Sequence, residues 1–419
     1  MENYGKRGQL KQPVPVSLNL SYQPMKNPIV CILIFLSFSV LCSGADKAGF
    51  PSFSWDVVPR YMHVRKAKAF SKDEIKYLAT FPLITFEKST GSREFRSTEQ
   101  GTLEAAKAVK RVNSDAKILY YRNILVHYDM YAADRGLRKI DDPFLTNKRG
   151  DTKLVRSSLP AYDLTNRKLQ DWWLDNAKEL CASRYIDGIF IDGNIKVLEP
   201  NYLTPMLGAE QREDVVDAYH DVLRKLRHGI DRDKLIIANI IRARLPDAGA
   251  EHLRYFDGSY IEGFEHAVKG YSREEYMAKG IEAIQSAARS GKIIAFTIAM
   301  GDNSADAGSA GIDESRKRVS EWSAAVQQRF IYSLALFLIC AEEHSYFMAN
   351  DGYGVDDGKS VFWMDAIPEY SYPLGAPKGR AKQRGYTYTR KFEFADVSID
   401  LVSESATIQW HAGSASRTR

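Results

Sequence analysis

Short apolar runs alternate along most of this chain with longer stretches whose apolar positions recur every three to four residues. The short runs fall at 83–87, 118–122, 159–164, 186–191, 235–240, 259–262, 293–299 and 345–349. The longer, amphipathic stretches fall at 98–112, 167–184, 210–227, 273–289 and 313–341. The first kind suits strands buried on both faces, the second helices with one apolar side. In 167–184, for example, Leu169, Trp172, Trp173, Ala177, Leu180 and Cys181 share a helical spacing, and the run 186–191 follows directly. Eight strand candidates alternating with helices predict an α/β chain folded as a (β/α)8 TIM barrel. An open doubly wound sheet for nucleotides is less suited, because no glycine-rich phosphate loop follows the first strand. Within 159–164 the breaker Pro160 confines the strand character to 161–164.

Two regions leave the alternation. Residues 129–158 are polar, basic and turn-rich, and predict a long loop after the second strand on the active-site rim. After the eighth strand an aromatic, Pro/Gly-rich stretch leads to strand-like segments at 386–394, 397–402 and 406–410, a small C-terminal β-meander docked on the barrel. Residues 50–65, rich in aromatics, are expected to form a lead-in packed against the barrel. Further upstream, the apolar run 29–41 is short for a bilayer-spanning helix and is followed by the small residues Ser43, Gly44 and Ala45. This is the pattern of a secretory signal peptide. Met25, Lys26 and Asn27 would make its normal start, with 1–24 as an upstream extension. The chain is thus expected to divide into 1–45 (extension and signal), 46–355 (barrel) and 356–419 (aromatic segment and meander), with the mature protein periplasmic or extracellular. Lipid anchoring at Cys42 is disfavoured, since Val40 and Leu41 stand where a lipoprotein signal needs small residues.

A chain of 419 residues, 44% of them hydrophobic, can bury a full core. Its 58 basic and 53 acidic residues nearly cancel, and no internal Lys/Arg tract interleaves with aromatics, so a nucleic-acid partner is not expected. Cys31 and Cys42 belong to the signal, while Cys181 and Cys340 lie in apolar helical patterns and suit small buried hydrophobes. No Cys/His spacing suits zinc, and neither a metal nor an organic cofactor is expected.

The candidate chemistry gathers where the strands end. The run 186–191 delivers Asp192 to a turn opened by Gly193, the rim at which such barrels hold their catalytic groups. Other strand ends carry Glu87, then Tyr121, Arg122 and Asn123, then Asp163, Asn194, Asn239, Tyr260 and Glu262, and finally Asn350 and Asp351. Carboxylates converging on a cleft with aromatic faces and amides suit glycoside cleavage, which needs one acid to protonate the leaving oxygen and one carboxylate to attack or to activate water. Asp192 and Glu262, each followed by glycine, are the expected catalytic pair, and the remaining residues are expected to bind substrate. Glu87 beside Lys88 equally suits a salt-bridged rim position, and Asp163 a cap for the helix starting near Asn166. His63, His127, His266 and His344 are scattered singly, with ordinary hydrogen-bonding roles expected. Two other readings share these residues: a non-catalytic carbohydrate-binding barrel, and metal-dependent hydrolysis at the same acids.

The segments WDVVPRYMHVRK (55–66), FPLITFEK (81–88), AKILYYRN (116–123), YDL (162–164) with WW (172–173), IDGIFIDG (186–193) and YTYTRKFEFADVSIDL (386–401) together resemble the hypothetical glycosyl hydrolase families, family fifteen above all. The resemblance runs from about 55 to 410. It implies a barrel protein of a bacterial polysaccharide-degrading system. Such families are also similar to retaining α-glycosidase clans, where the strand-four Asp is nucleophile and a strand-six acid the proton donor. Carried over, that similarity implies these roles for Asp192 and Glu262, with Glu standing where several of those clans use Asp.

Overall fold

The computed structural model describes residues 49–300, 317–356 and 360–411. The expected signal peptide at 29–41 lies outside them. Eight strands, β1 (Tyr61–Val64), β2 (Leu83–Phe86), β3 (Lys117–Asn123), β4 (Gly188–Asp192), β5 (Leu235–Asn239), β6 (Gly258–Ile261), β7 (Ile293–Ala299) and β8 (Ser345–Asn350), pair in chain order. Every pairing is parallel. The last strand returns to the first: Phe347 N–H donates to the Pro59 carbonyl at 2.8 Å, beside a parallel bridge from Phe347 to Arg60. The barrel is thereby nearly closed.

Side chains alternate across its wall, as the pleat requires. On β4 Ile189 and Ile191 pack outward with the helices, while Phe190 and Asp192 face the barrel interior and its mouth. The helices start where the chain supplies caps. Asn166 accepts hydrogen bonds from the backbone of Lys168 and Leu169 to open Arg167–Cys181, and Ser272 with Glu275 forms a capping box on Arg273–Arg289. Among the described residues no helix is long and apolar enough to cross a membrane.

The strand reading needs two corrections. The expected lead-in contains β1, whose four residues, following Pro59 and Arg60, are too few to show a period. Conversely, 159–164 is not a barrel strand: Ala161 and Tyr162 make only single bridges, to Val126 and Phe144, inside the long loop after β3. Pro160 has no N–H for a ladder. The errors offset each other, so Asp192 still ends the fourth strand and Glu262 still follows the sixth.

At the C-terminus β9 (Lys382–Arg384), β10 (Thr387–Lys391), β11 (Ala395–Asp400) and β12 (Ser405–Trp410) form an antiparallel meander. It covers the helix Ala324–Cys340, all of whose residues from 333 to 340 are buried. That C-terminal half is apolar on every side because it is enclosed on every side, while the first turns, with Gln327, Gln328 and Arg329, reach solvent. Arg390 of β10 donates to the carbonyls of Leu338 and Ala341 and pairs with Glu342 at 3.0 Å. Cys181 and Cys340 are free thiols, both buried.

Candidate active site

A cleft of about 650 Å³ opens at the C-terminal ends of the strands. Asp192 stands on its wall, where the parallel register sets Asn123 of β3 beside it. The Tyr121 hydroxyl donates to Asp192 Oδ2 at 2.7 Å and the Asn123 amide donates to the same oxygen at 3.2 Å. The Asn239 amide, from β5, reaches Oδ1 at 3.4 Å. Burial pushes the Asp192 carboxyl up. Nearby Lys88, the Tyr121 hydroxyl, Lys196 and the Gly193 N–H outweigh that cost and hold it below the usual carboxylate range. Gly193 is required here: its φ is +87°, and a Cβ would fall 2.4 Å from Asn123 Oδ1.

Glu262 faces the same space from the end of β6. Its Oε2 accepts from the Asn239 amide at 3.0 Å and lies 3.6 Å from the Arg242 guanidinium. One side-chain nitrogen, Asn239 Nδ2, therefore bridges the two carboxylates. The Asn239 oxygen accepts from Arg242 at 2.9 Å, which fixes the amide orientation. Glu262 keeps about 31% of its side chain exposed.

Glu87 lines the cleft too, but it is doubly ion-paired, to Arg65 at 3.0 Å and to its neighbour Lys88. Burial raises its carboxyl, and Lys88, Arg65 and His63 together bring it below the ordinary value. The Lys88 ammonium lies 5.2 Å and 5.1 Å from the ring centres of Tyr121 and Tyr128. The Tyr260 hydroxyl bonds to that of Tyr353. Asn350 and Asp351 reach the cleft, yet their polar atoms hold the chain after β8: Asn350 donates to the Ile298 carbonyl at 3.1 Å, and Asp351 accepts from Ser360 and from Val361 N–H. Burial raises the Asp351 carboxyl despite these donors.

Three expected substrate contacts lie elsewhere. Arg122 alternates with Tyr121 and Asn123 and so faces away from the cleft, where its guanidinium sits over the rings of Tyr131 and Trp172 at 4.4 and 5.0 Å. Asp163 accepts from the backbone and hydroxyl of Thr165 in the turn before the helix Arg167–Cys181. Asn194, fully buried, clamps β4 to β5 through the Ile191 and Asn239 carbonyls and accepts from Tyr219.

The cleft also holds residues that the sequence did not mark as part of a site, among them Arg65, Lys196, Arg242, Tyr353 and His63, for which only an ordinary hydrogen-bonding role was expected. His63 and Arg65 would have followed from recognising β1, since alternate positions 61, 63 and 65 then point inward. No comparable local signal marks Arg242, in the loop after β5, or Lys196, in the short helix Asn194–Leu198 after β4. Among the described residues no group of three or more His, Cys, Asp or Glu side chains is arranged to hold a metal ion.

The hypothetical glycosyl hydrolase family 15 matches residues 110–396, a span that includes Asp192, Asn239 and Glu262 and starts after β1 and β2. No curated protein matches the chain. Among solved structures, the glycoside hydrolase domain of PelA from Pseudomonas aeruginosa is 13% identical with a TM-score of 0.38, covering 58% of this chain and 85% of that one. An Anoxybacillus alpha-amylase is 11% identical with a TM-score of 0.47, covering 84% and 88%. Alpha-L-fucosidase isoenzyme 2 from Paenibacillus thiaminolyticus is 14% identical with a TM-score of 0.44, covering 70% and 46%.

Proposed function

The chain belongs to the hypothetical glycosyl hydrolase family 15, and on that premise we propose that it is an exported, retaining glycoside hydrolase acting on a polysaccharide or oligosaccharide. Asp192 is the nucleophile and Glu262 the acid and base. The observation that carries this reading is the Asn239 amide shared by the two carboxylates at 3.4 and 3.0 Å. Oxygens bonded to one nitrogen stand no further apart than the two bonds laid end to end. That limit, which holds for the two facing oxygens, is compatible with the roughly 5–5.5 Å of retaining pairs.

The surroundings suit unequal roles. Asp192, kept ionised by its donors and by Lys88, can attack the anomeric carbon. Glu262, open to the cleft, gives its proton to the departing glycosidic oxygen and then takes one from the water that releases the glycosyl-enzyme. Export rests on the apolar run 29–41 and the small residues after it.

The test is a panel of glycans with the purified protein, followed by NMR of the first-formed product. Retained anomeric configuration is expected, and inversion would make Asp192 a base rather than a nucleophile. N-terminal sequencing of exported protein should begin between Ser43 and Lys47. A start at Met25 would remove the signal.

A further inference from the structure

Resting on that reading of the cleft, we propose that His63 selects the sugar bound against Asp192 by accepting a hydrogen bond from one of its hydroxyls at Nε2. The imidazole forms part of the cleft lining and is only 3% exposed. The rings of Phe190, Tyr260 and Tyr353 surround it, with centroids at 5.1, 5.1 and 4.7 Å. Phe190 is the inward-facing residue next below Asp192 on β4, so the imidazole lies at the floor under the carboxylate.

The hydrogen bonds around it determine which nitrogen carries the proton. Nδ1 lies 3.1 Å from the Tyr61 hydroxyl. That hydroxyl has one proton and donates it to Thr85 Oγ1 at 2.5 Å, so towards the ring it can only accept. Nδ1 therefore bears the hydrogen, and Nε2 keeps a bare lone pair. The ring makes no other hydrogen bond among the described residues. Burial lowers the imidazole pKa to about 4, against the opposing pull of Glu87 and Asp192 and with the help of Lys88 and Arg65, so the ring is neutral at pH 7. A neutral acceptor walled by aromatic rings pairs with a hydroxyl. It penalises a sugar that lacks that hydroxyl, because Nε2 then stays dry and unpaired.

Two measurements decide. Long-range 1H–15N spectra of the parent at pH 7, with the His63 signals assigned by their loss in His63→Gln, should show protonated Nδ1 and unprotonated Nε2. A protonated Nε2 overturns the proposal without any substrate. Kinetics then use a glycan that the parent cleaves and the series of its monodeoxy analogues. His63→Leu should lose on the order of tenfold to a hundredfold in kcat/KM on the full substrate and almost nothing further on one analogue, the one lacking the recognised hydroxyl. His63→Gln, which keeps a carbonyl acceptor, should recover part of the loss. Equal losses on every analogue, or none on the full substrate, would make His63 a packing residue and overturn its role. A parent that cleaves no glycan sinks the hydrolase reading instead, and the nitrogen spectra still judge the acceptor by themselves.

Discussion

Two carboxylates on the cleft, buried Glu87 after β2 and half-buried Asp192 at the end of β4, with β3 between them, are both held below the ordinary carboxylate range, and they are held there differently. Glu87 is clasped by the cations of Arg65 and Lys88 at the end of β2, so its charge is spent inside the protein. Asp192, at the end of β4, receives its direct hydrogen bonds from neutral groups, a phenol and two amides, while Lys88 acts on it from a distance. Neutral donors stabilise the charge without cancelling it. Of the two, Asp192 is therefore the one whose negative charge remains available to an incoming electrophile, and Glu87 serves to anchor the cations around it.

The contrast breaks most visibly at Asp192. Asp192→Asn should cost on the order of 10³–10⁴-fold in kcat on any glycan the parent cleaves, with thermal unfolding nearly unchanged. A parent-like rate would end the assignment. Glu262→Gln should be next in size, and selective. Its loss should be large on natural glycans and far smaller on aryl glycosides with good leaving groups, which need little protonation. Steady-state kinetics on both substrate types measure the difference.

Glu87→Gln sharpens the comparison through stability. It leaves Arg65 and Lys88 without their shared counter-ion, and denaturant unfolding at pH 7 should report a loss of about 2 kcal/mol, moderated because Arg65 is one-third exposed. The sign with pH follows from the lowered carboxyl. A group whose folded pKa is depressed stabilises fully above its unfolded value and loses that contribution as pH falls through the folded one. The parent should thus shed Glu87's share below about pH 4.3, and Glu87→Gln should shed correspondingly less over the same range. Smallest of all, Arg122→Lys should leave KM unchanged, because the guanidinium packs on Tyr131 and Trp172 behind the barrel wall.

That last residue marks where the sequence stops being legible. Runs such as 235–240 and 293–299 match β5 and β7 almost residue for residue, because strands buried on both faces must be apolar throughout. The same property hides which side each residue faces. Within 121–123 only the pleat separates the two cleft residues, Tyr121 and Asn123, from Arg122 between them. Asp192 and Glu262 were legible because a polar side chain at a strand end followed by glycine has few other places to be. Arg242 was not, since its place beside Glu262 depends on a turn whose path no local pattern encodes. Asp163 and Asn194 show the converse: polar residues whose hydrogen bonds are taken up inside the protein, by Thr165 for the one and by the Ile191 and Asn239 carbonyls and Tyr219 for the other.

The helix Ala324–Cys340, enclosed over its C-terminal half, constrains how the chain must be made. Its cover, the β9–β12 meander, lies downstream of it in the chain and so leaves a ribosome or a translocation pore after it. Until those strands arrive, a 17-residue helix rich in Leu, Phe and Ile has one flank without a partner and invites aggregation. Chains halted before β10 also lack Arg390, which caps the last carbonyls of that helix, and so should be found in inclusion bodies or in the hands of a chaperone rather than as a working shortened barrel.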